Sequence, residues 1–245
     1  MADDALPPAL SGEIEQVQEA TERLFAELSG LAGTDPGRPS LCPGWTAGHI
    51  LTHIARNADG LRRTAEGAQR GESVPMYDSV EARNRDIEAG AGRSMPELIA
   101  DVTASAAALS QAWTTLRAED WTRQWPHRGG PRPVSDTPGM RLGEVEIHHI
   151  DLAGRFGPAD WPESFVTALL PSVGELAHRV PDGLALDVQA TDSGTSWAGG
   201  PDGARRVRVS GPSWAIAAWM VGRPQAARDA LTVTDGDLPE LNSWP

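Results

Sequence analysis

A carboxylate and an imidazole four residues apart stand in Arg141-Leu-Gly-Glu-Val-Glu-Ile-His-His-Ile-Asp-Leu152. Leu142, Val145, His149 and Leu152 recur at steps of three and four, which predicts a helix with these residues on one stripe. Glu144, His148, Asp151 and Arg155 recur in the same way on a neighbouring stripe. Glu144 and His148 therefore leave one face a turn apart and can grip one divalent cation. Two protein ligands rarely hold a catalytic metal, so a third has to come from elsewhere. The chain has six histidines to choose from, at 49, 53, 127, 148, 149 and 178. His49, His53 and Asn57 share a face of another predicted helix, and spacing leaves both His49 and His53 open as the third ligand. A polar stripe of this kind can equally face water. Glu146 and His149 form a rival pair, although His149 lies on the apolar stripe, where a satisfied core histidine is the ordinary reading. His127 sits in a loop from which it could swing in, and His178 reads as surface.

Neutral imidazoles with one carboxylate suit zinc or another divalent first-row ion. Three protein ligands would leave a position for water or substrate, the mark of a catalytic site rather than a structural one. Other chemistries are narrowed by what the chain lacks. All 21 basic residues are arginine. That rules out a Schiff-base lysine, a phosphate-loop lysine and a Ser-Lys dyad. Any anion is bound by arginine, backbone N–H or metal. The single cysteine, Cys42, excludes an intramolecular disulfide and a thiolate-only zinc site within one chain. Its sequence neighbours offer no cation to activate it, so it reads as a small packing residue beside Pro43 and Gly44. Arg223 ends a short apolar helix, where the helix dipole favours a cation. It could equally reach into a cleft and take a carboxylate bidentately.

The elements that must position these residues follow from the pattern. Ser11 to Leu31 is predicted as a first helix capped by Ser11, with Ile14, Val17, Leu24, Leu28 and Leu31 inward. A second runs from a Thr46 cap to about Gly67; Gly48 and Gly60, costly in a helix, mark close contacts. Ser79 to Ala89 is a short polar helix. Ser94 with Glu97 forms a capping box for a helix to about Leu116. Asp120 to Pro138 reads as a long loop, whose Trp121 and Trp125 pack it onto the helices. The Arg141 helix follows and ends near Phe156 and Gly157. Four long helices and a shorter fifth make a helix bundle over residues 1–157, an architecture that builds metal sites from facing helices. After Pro158 the pattern changes to one helix (Pro162 to Val180), strands at Leu184–Val188, Arg206–Val209 and Leu231–Thr234, and a short helix from Trp214 to Gly222 capped by Ser213. Residues 158–245 thus form a small α+β domain, and the fold class is α+β.

A mean hydropathy of −0.35 describes a soluble chain, and no run is apolar enough to span a bilayer. The start, Met-Ala-Asp-Asp, is acidic where a secretory signal would be basic, so a cytoplasmic location is expected. The net charge of −13 argues against a nucleic-acid partner. No membrane partner is expected, and a monomer is favoured.

Several stretches together resemble the mycothiol-dependent maleylpyruvate isomerases, of the DinB-like metal-binding bundle superfamily. They are Pro43-Gly-Trp-Thr with His53, Pro75-Met-Tyr-Asp-Ser-Val-Glu-Ala-Arg-Asn84, Met140 to His148 with Asp151-Leu152, and Val207-Arg-Val-Ser-Gly211 leading to Gly222-Arg223. They span nearly the whole chain in order. The Gly-Trp and His53 pairing is shared widely, whereas the Pro75 to Asn84 segment is particular to the isomerase branch. The resemblance implies His53, Glu144 and His148 as ligands, normally for zinc, and so selects His53 over His49. It implies Arg223 as an anion-binding residue, helped by Arg83, with Met76, Tyr77 and Asn84 lining the cleft. His149 departs from the family pattern, where a small residue is expected.

The implied reaction is the conversion of maleylpyruvate to fumarylpyruvate in gentisate-type aromatic degradation. A thiolate adds to the alkene carbon, the resulting single bond rotates, and elimination gives the trans isomer. The thiol is expected from the cofactor mycothiol, with no protein nucleophile. Two other readings use the same scaffold. One is a mycothiol S-transferase acting on other electrophiles. The other is a non-enzymatic bundle with a structural metal.

Overall fold

The computed structural model describes residues 6–173 and 179–242. The chain divides into two compact units, Met1–Arg155 and Phe156–Pro245.

In the first unit, α1 (Pro8–Leu31), α2 (Ala47–Gln69), α4 (Met95–Thr114) and α6 (Thr137–Asp151) are the long helices, and α3 (Val80–Ala91) is the shorter one. The packed pairs are α2 with α4, α1 with α6, α2 with α3 and α2 with α6. Because α2 meets three neighbours, most of its residues are buried, including His53, Asn57, Thr52 and Thr64 among Ile50, Leu51, Ile54 and Leu61. Leu24, Leu28, Leu98, Val102, Leu109 and Val145 complete the core. Each side chain of this size contributes about 1.5–3 kcal/mol when fully withdrawn from water.

The helix ends show local chemistry at work. The Thr46 side chain accepts the His49 backbone N–H, while His49 Nδ1 faces Thr46 N at 3.2 Å, so this histidine closes its own capping box. Glu97 accepts the backbone N–H of Ser94 at 2.9 Å. Ser79 Oγ caps α3 by accepting the Ala82 N–H at 3.1 Å. Gly48 and Gly60 do sit at close approaches. A Cβ on Gly48 would lie 2.1 Å from the Ala91 carbonyl at the end of α3, and one on Gly60 would lie 3.1 Å from Met76 Cβ.

Four expectations are corrected in this unit. Helix α1 begins a turn earlier than Ser11, at Pro8, whose missing N–H costs nothing in a first turn. Leu10 and Ala20 take buried places in it, while Ile14 and Leu31 are only partly covered. The segment predicted as one long loop contains a single helical turn, α5 (Ala118–Trp121), and a two-residue antiparallel pairing of β1 (Gln124–Trp125) with β2 (Arg132–Pro133). Trp121 and Trp125 are buried. Finally, α6 stops at Asp151, short of Phe156. Ala153 turns to φ 49, and the Glu27 carboxylate takes the Arg155 N–H at 2.9 Å, so Arg155 is not on the Glu144 stripe.

In the second unit, α7 (Glu163–Val173) precedes a four-stranded sheet of order β4-β3-β5-β6. Its strands are β3 (Leu184–Ala190), β4 (Ser196–Gly199), β5 (Arg205–Gly211) and β6 (Thr232–Thr234). β3 and β5 are parallel, and the outer pairings are antiparallel. Ala185, Leu186, Val188, Val207 and Val209 are buried in the sheet, and α8 (Ser213–Met220) packs on β3, β5 and α7. β4 is an addition to the predicted strands. Pro212, not Ser213, stands at the N-cap of α8. The predicted helix does not reach Val180, which lies in a bend; its Leu176 and His178 fall outside the described residues.

Candidate metal centre

Helices α2 and α6 bring three donor atoms to one point. His53 Nε2 lies 2.8 Å from Glu144 Oε2 and 3.0 Å from His148 Nε2. The third edge, His148 Nε2 to Glu144 Oε2, is 3.4 Å. Two donors come from one face of α6, as their four-residue spacing requires. The third comes from the buried face of α2, 91 residues away in sequence. For ligand bonds of about 2.0–2.1 Å, a tetrahedral ion sets its ligands roughly 3.3 Å apart. The three edges bracket that value, so the donor set fits a divalent first-row ion. His53 is buried, whereas Glu144 keeps part of its side chain exposed. Trp45 stands edge-on to the His53 ring at 5.4 Å between centroids.

The outer nitrogens of the two histidines are also engaged. His148 Nδ1 lies 2.8 Å from Asp151 Oδ2, and Cys42 Sγ donates to that same oxygen at 3.1 Å. Arg83 reaches from α3 to put Nη2 3.0 Å from His53 Nδ1, while its Nη1 donates to Asn84 Oδ1 at 3.0 Å. Tyr77 lies under the Arg83 guanidinium, 5.9 Å from ring centroid to Cζ. Met76, Tyr77 and Arg83 also line a groove of about 760 Å³ between α2 and α3, whose walls carry Arg56, Arg63 and Asp86.

Burial is the largest influence on five ionisable groups around the centre, and for Glu144 and His148 the neighbours outweigh it. Burial lowers the His53 pKa, and with the nearby His148 and Arg83 it outweighs the raising effect of Glu144, so the ring is held neutral. Burial pushes Glu144 upward, but His53 and His148 outweigh it and hold the carboxylate ionised. Burial pushes His148 downward, but Asp151, Cys42 and Glu144 outweigh it and raise its pKa well above the usual value. Burial pushes the Tyr77 phenol up to about 12 and brings Arg141 down to about 10. Arg141 is wholly buried one turn before Glu144, with Nη1 donating to the Ile54 carbonyl at 2.8 Å and to Asn57 Oδ1 at 2.9 Å.

The remaining histidines are employed elsewhere. His49 is the capping residue of α2 and meets Glu88 at 3.2 Å. The rival pair points to α1, where Glu146 meets Arg23 at 2.5 Å and His149 meets Glu27 at 3.1 Å. His127 Nδ1 accepts the Gly129 N–H at 3.1 Å within its own loop. Arg223 belongs to the second unit, where its Nη1 donates to the Val221 carbonyl at 2.7 Å. Cys42 and Arg141 are the neighbours of the centre that sequence reasoning passed over. The helical stripe had already put Asp151 beside His148. No spacing signal could reveal Cys42, which is 109 residues from its partner.

Comparison with known proteins gives a consistent picture. A family model described as the mycothiol maleylpyruvate isomerase N-terminal domain matches residues 17–153. A solved structure of a mycothiol-dependent maleylpyruvate isomerase is similar with a TM-score of 0.85 and 29% identity, covering 98% of this chain and 98% of that one. A histidine-to-alanine mutant of a mycothiol-dependent maleylpyruvate isomerase gives a TM-score of 0.87, again with 29% identity and 98% of both chains covered. None of the curated proteins matches.

Proposed function

The chain belongs to the mycothiol maleylpyruvate isomerase family, and from that premise we propose how its residues serve the reaction. It is a mycothiol-dependent cis–trans isomerase that converts maleylpyruvate to fumarylpyruvate. The observation that carries this is the match over 98% of both chains, which takes in both units and not the bundle alone. The metal, on this reading, is zinc, held by His53, Glu144 and His148. A bound divalent ion supplies a thiolate at neutral pH by lowering the pKa of a thiol, and reversible thiolate addition removes the double-bond character that blocks rotation.

The protein's own groups then have defined tasks. His53 and Glu144 are already in the deprotonated forms that a cation needs. One carboxylate against a divalent ion leaves the loaded centre net positive. Arg83, on the neighbouring helix α3, and the buried Arg141 add cationic charge nearby in a protein of net charge −13. That local excess suits a dianionic substrate and an anionic sulfur. Tyr77, with its pKa pushed up to about 12, stays a hydroxyl donor at neutral pH. Arg223 would bind a substrate carboxylate, and Met76 and Asn84 would line the approach. Among the described residues three donors and no fourth meet at the point, which supports an open position over a structural metal.

Replacement of His53 by alanine tests this. Metal content, measured by elemental analysis, should fall from about one equivalent to near zero, and conversion of maleylpyruvate should cease. Undiminished turnover by the metal-free variant would overturn the reading.

A further inference from the structure

His148 uses both ring nitrogens, and the outer one leads to a second layer of contacts. Its Nδ1 meets Asp151 Oδ2 at 2.8 Å. Asp151 is fully buried on the last turn of α6, three residues beyond His148, so the helix itself fixes the pair. The same Oδ2 accepts from Cys42 Sγ at 3.1 Å. The Asp151 carbonyl accepts the Leu41 N–H at 3.0 Å. The strap before α2 is thus tied to the end of α6 through both main chain and side chain. That strap also carries Trp45, which stands against His53.

We propose that Asp151 is the positioning residue of the metal centre, and that the Cys42 thiol holds Asp151 in place. The inference rests on the reading of His53, Glu144 and His148 as ligands. A neutral imidazole carries one proton, and the acceptor beside one nitrogen decides which nitrogen keeps its lone pair. Asp151 keeps the proton on Nδ1 and turns Nε2 toward Glu144 and His53. Its charge also makes Nε2 a better donor to a cation. A buried carboxylate is costly without partners, and two donors converge on one of its oxygens. Cys42 is therefore neither nucleophile nor ligand; its S–H is a hydrogen-bond donor. Cys42, His148 and Asp151 are close enough to hold an ion of their own. One carboxylate oxygen facing an N–H and an S–H is the simpler pattern, and metal stoichiometry separates the two.

The test is zinc affinity, by competition with a chromophoric chelator, in the full chain and in Asp151→Asn, Cys42→Ser, Cys42→Ala and His53→Ala. The thermal midpoint of each metal-free protein serves as a structural control. Asp151→Asn should bind zinc about 10- to 100-fold more weakly, the range for a lost outer partner of a ligating histidine. Cys42→Ser, which keeps a donor, should stay close to the parent, while Cys42→Ala should bind several-fold more weakly. Parental affinity in Asp151→Asn, with binding lost in His53→Ala, would overturn this inference and leave the ligand assignment standing. A second zinc equivalent that disappears in Cys42→Ala would also overturn it. A parent protein that takes up no zinc would overturn both.

Discussion

Replacing Arg83 with methionine should tighten metal binding, although Arg83 brings positive charge to the site. Arginine has donors and no acceptor, so its contact with His53 Nδ1 at 3.0 Å requires a lone pair on that nitrogen. The proton of the neutral ring then sits on Nε2, the atom that faces Glu144 and His148. A metal on Nε2 moves that proton to Nδ1, where it would confront another donor. The Arg83 contact must break before metal is bound. A hydrogen bond to a charged group is worth about 1.5–3 kcal/mol, and Arg83 is partly exposed, so about 1–1.5 kcal/mol is the appropriate figure. At 1.4 kcal/mol per tenfold, Arg83→Met should bind zinc about five- to twelve-fold more tightly. Arg83→Gln should bind at least as tightly, because its amide oxygen can accept from the relocated proton. Chelator competition at fixed pH and ionic strength measures both. Affinity that is unchanged or weaker in both variants would refute the reasoning and remove Arg83 from the competition for His53.

Other outcomes follow from the same geometry. The folded pKa of His148 is raised, so its charged form stabilises the metal-free protein fully below the unfolded pKa of about 6.5, and that contribution is lost as pH rises through the folded value. Zinc uptake at neutral pH must expel this proton, so calorimetry in buffers of different ionisation enthalpy should report about one proton released; none released would contradict the assignment. Gly48→Ala should cost about 1–3 kcal/mol in denaturant unfolding, since the new methyl would stand 2.1 Å from the Ala91 carbonyl; a neutral effect would mean the α2–α3 approach relaxes freely. Arg223→Ala should reduce maleylpyruvate turnover by about 10- to 150-fold, the worth of a charge-assisted bond, with metal content unchanged. Unaltered kinetics would exclude Arg223 from the site, and a neutral electrophile turned over equally by both forms would point to transferase chemistry.

The bundle was legible because its helices carry local signals. Thr46, Ser79 and Ser94 mark three starts, and the stripe of Leu142, Val145, His149 and Leu152 reaches the core as read. Boundaries failed where tertiary contacts decide them: α6 ends early because Glu27 of α1 takes the Arg155 N–H. β4 was missed because Ser196-Trp-Ala-Gly199 has too few apolar residues to alternate, and its pairing with β3 supplies the order. Spacing put Glu144 and His148 on one face but could not choose between His49 and His53. The choice depends on facts outside α2: His49 is committed to Thr46 and Glu88, while His53 faces α6. Glu146 and His149 look equivalent to Glu144 and His148 until α1 supplies Arg23 and Glu27 as partners. The Cys42 contact joins residues 109 apart, and nothing local announces it.

The central claim is most directly tested by following the conversion of maleylpyruvate to fumarylpyruvate spectrophotometrically, with zinc-loaded protein, in the presence and absence of mycothiol. Conversion is expected only when metal and thiol are both present. Conversion without the thiol, or none by protein shown to hold zinc and supplied with mycothiol, would contradict it.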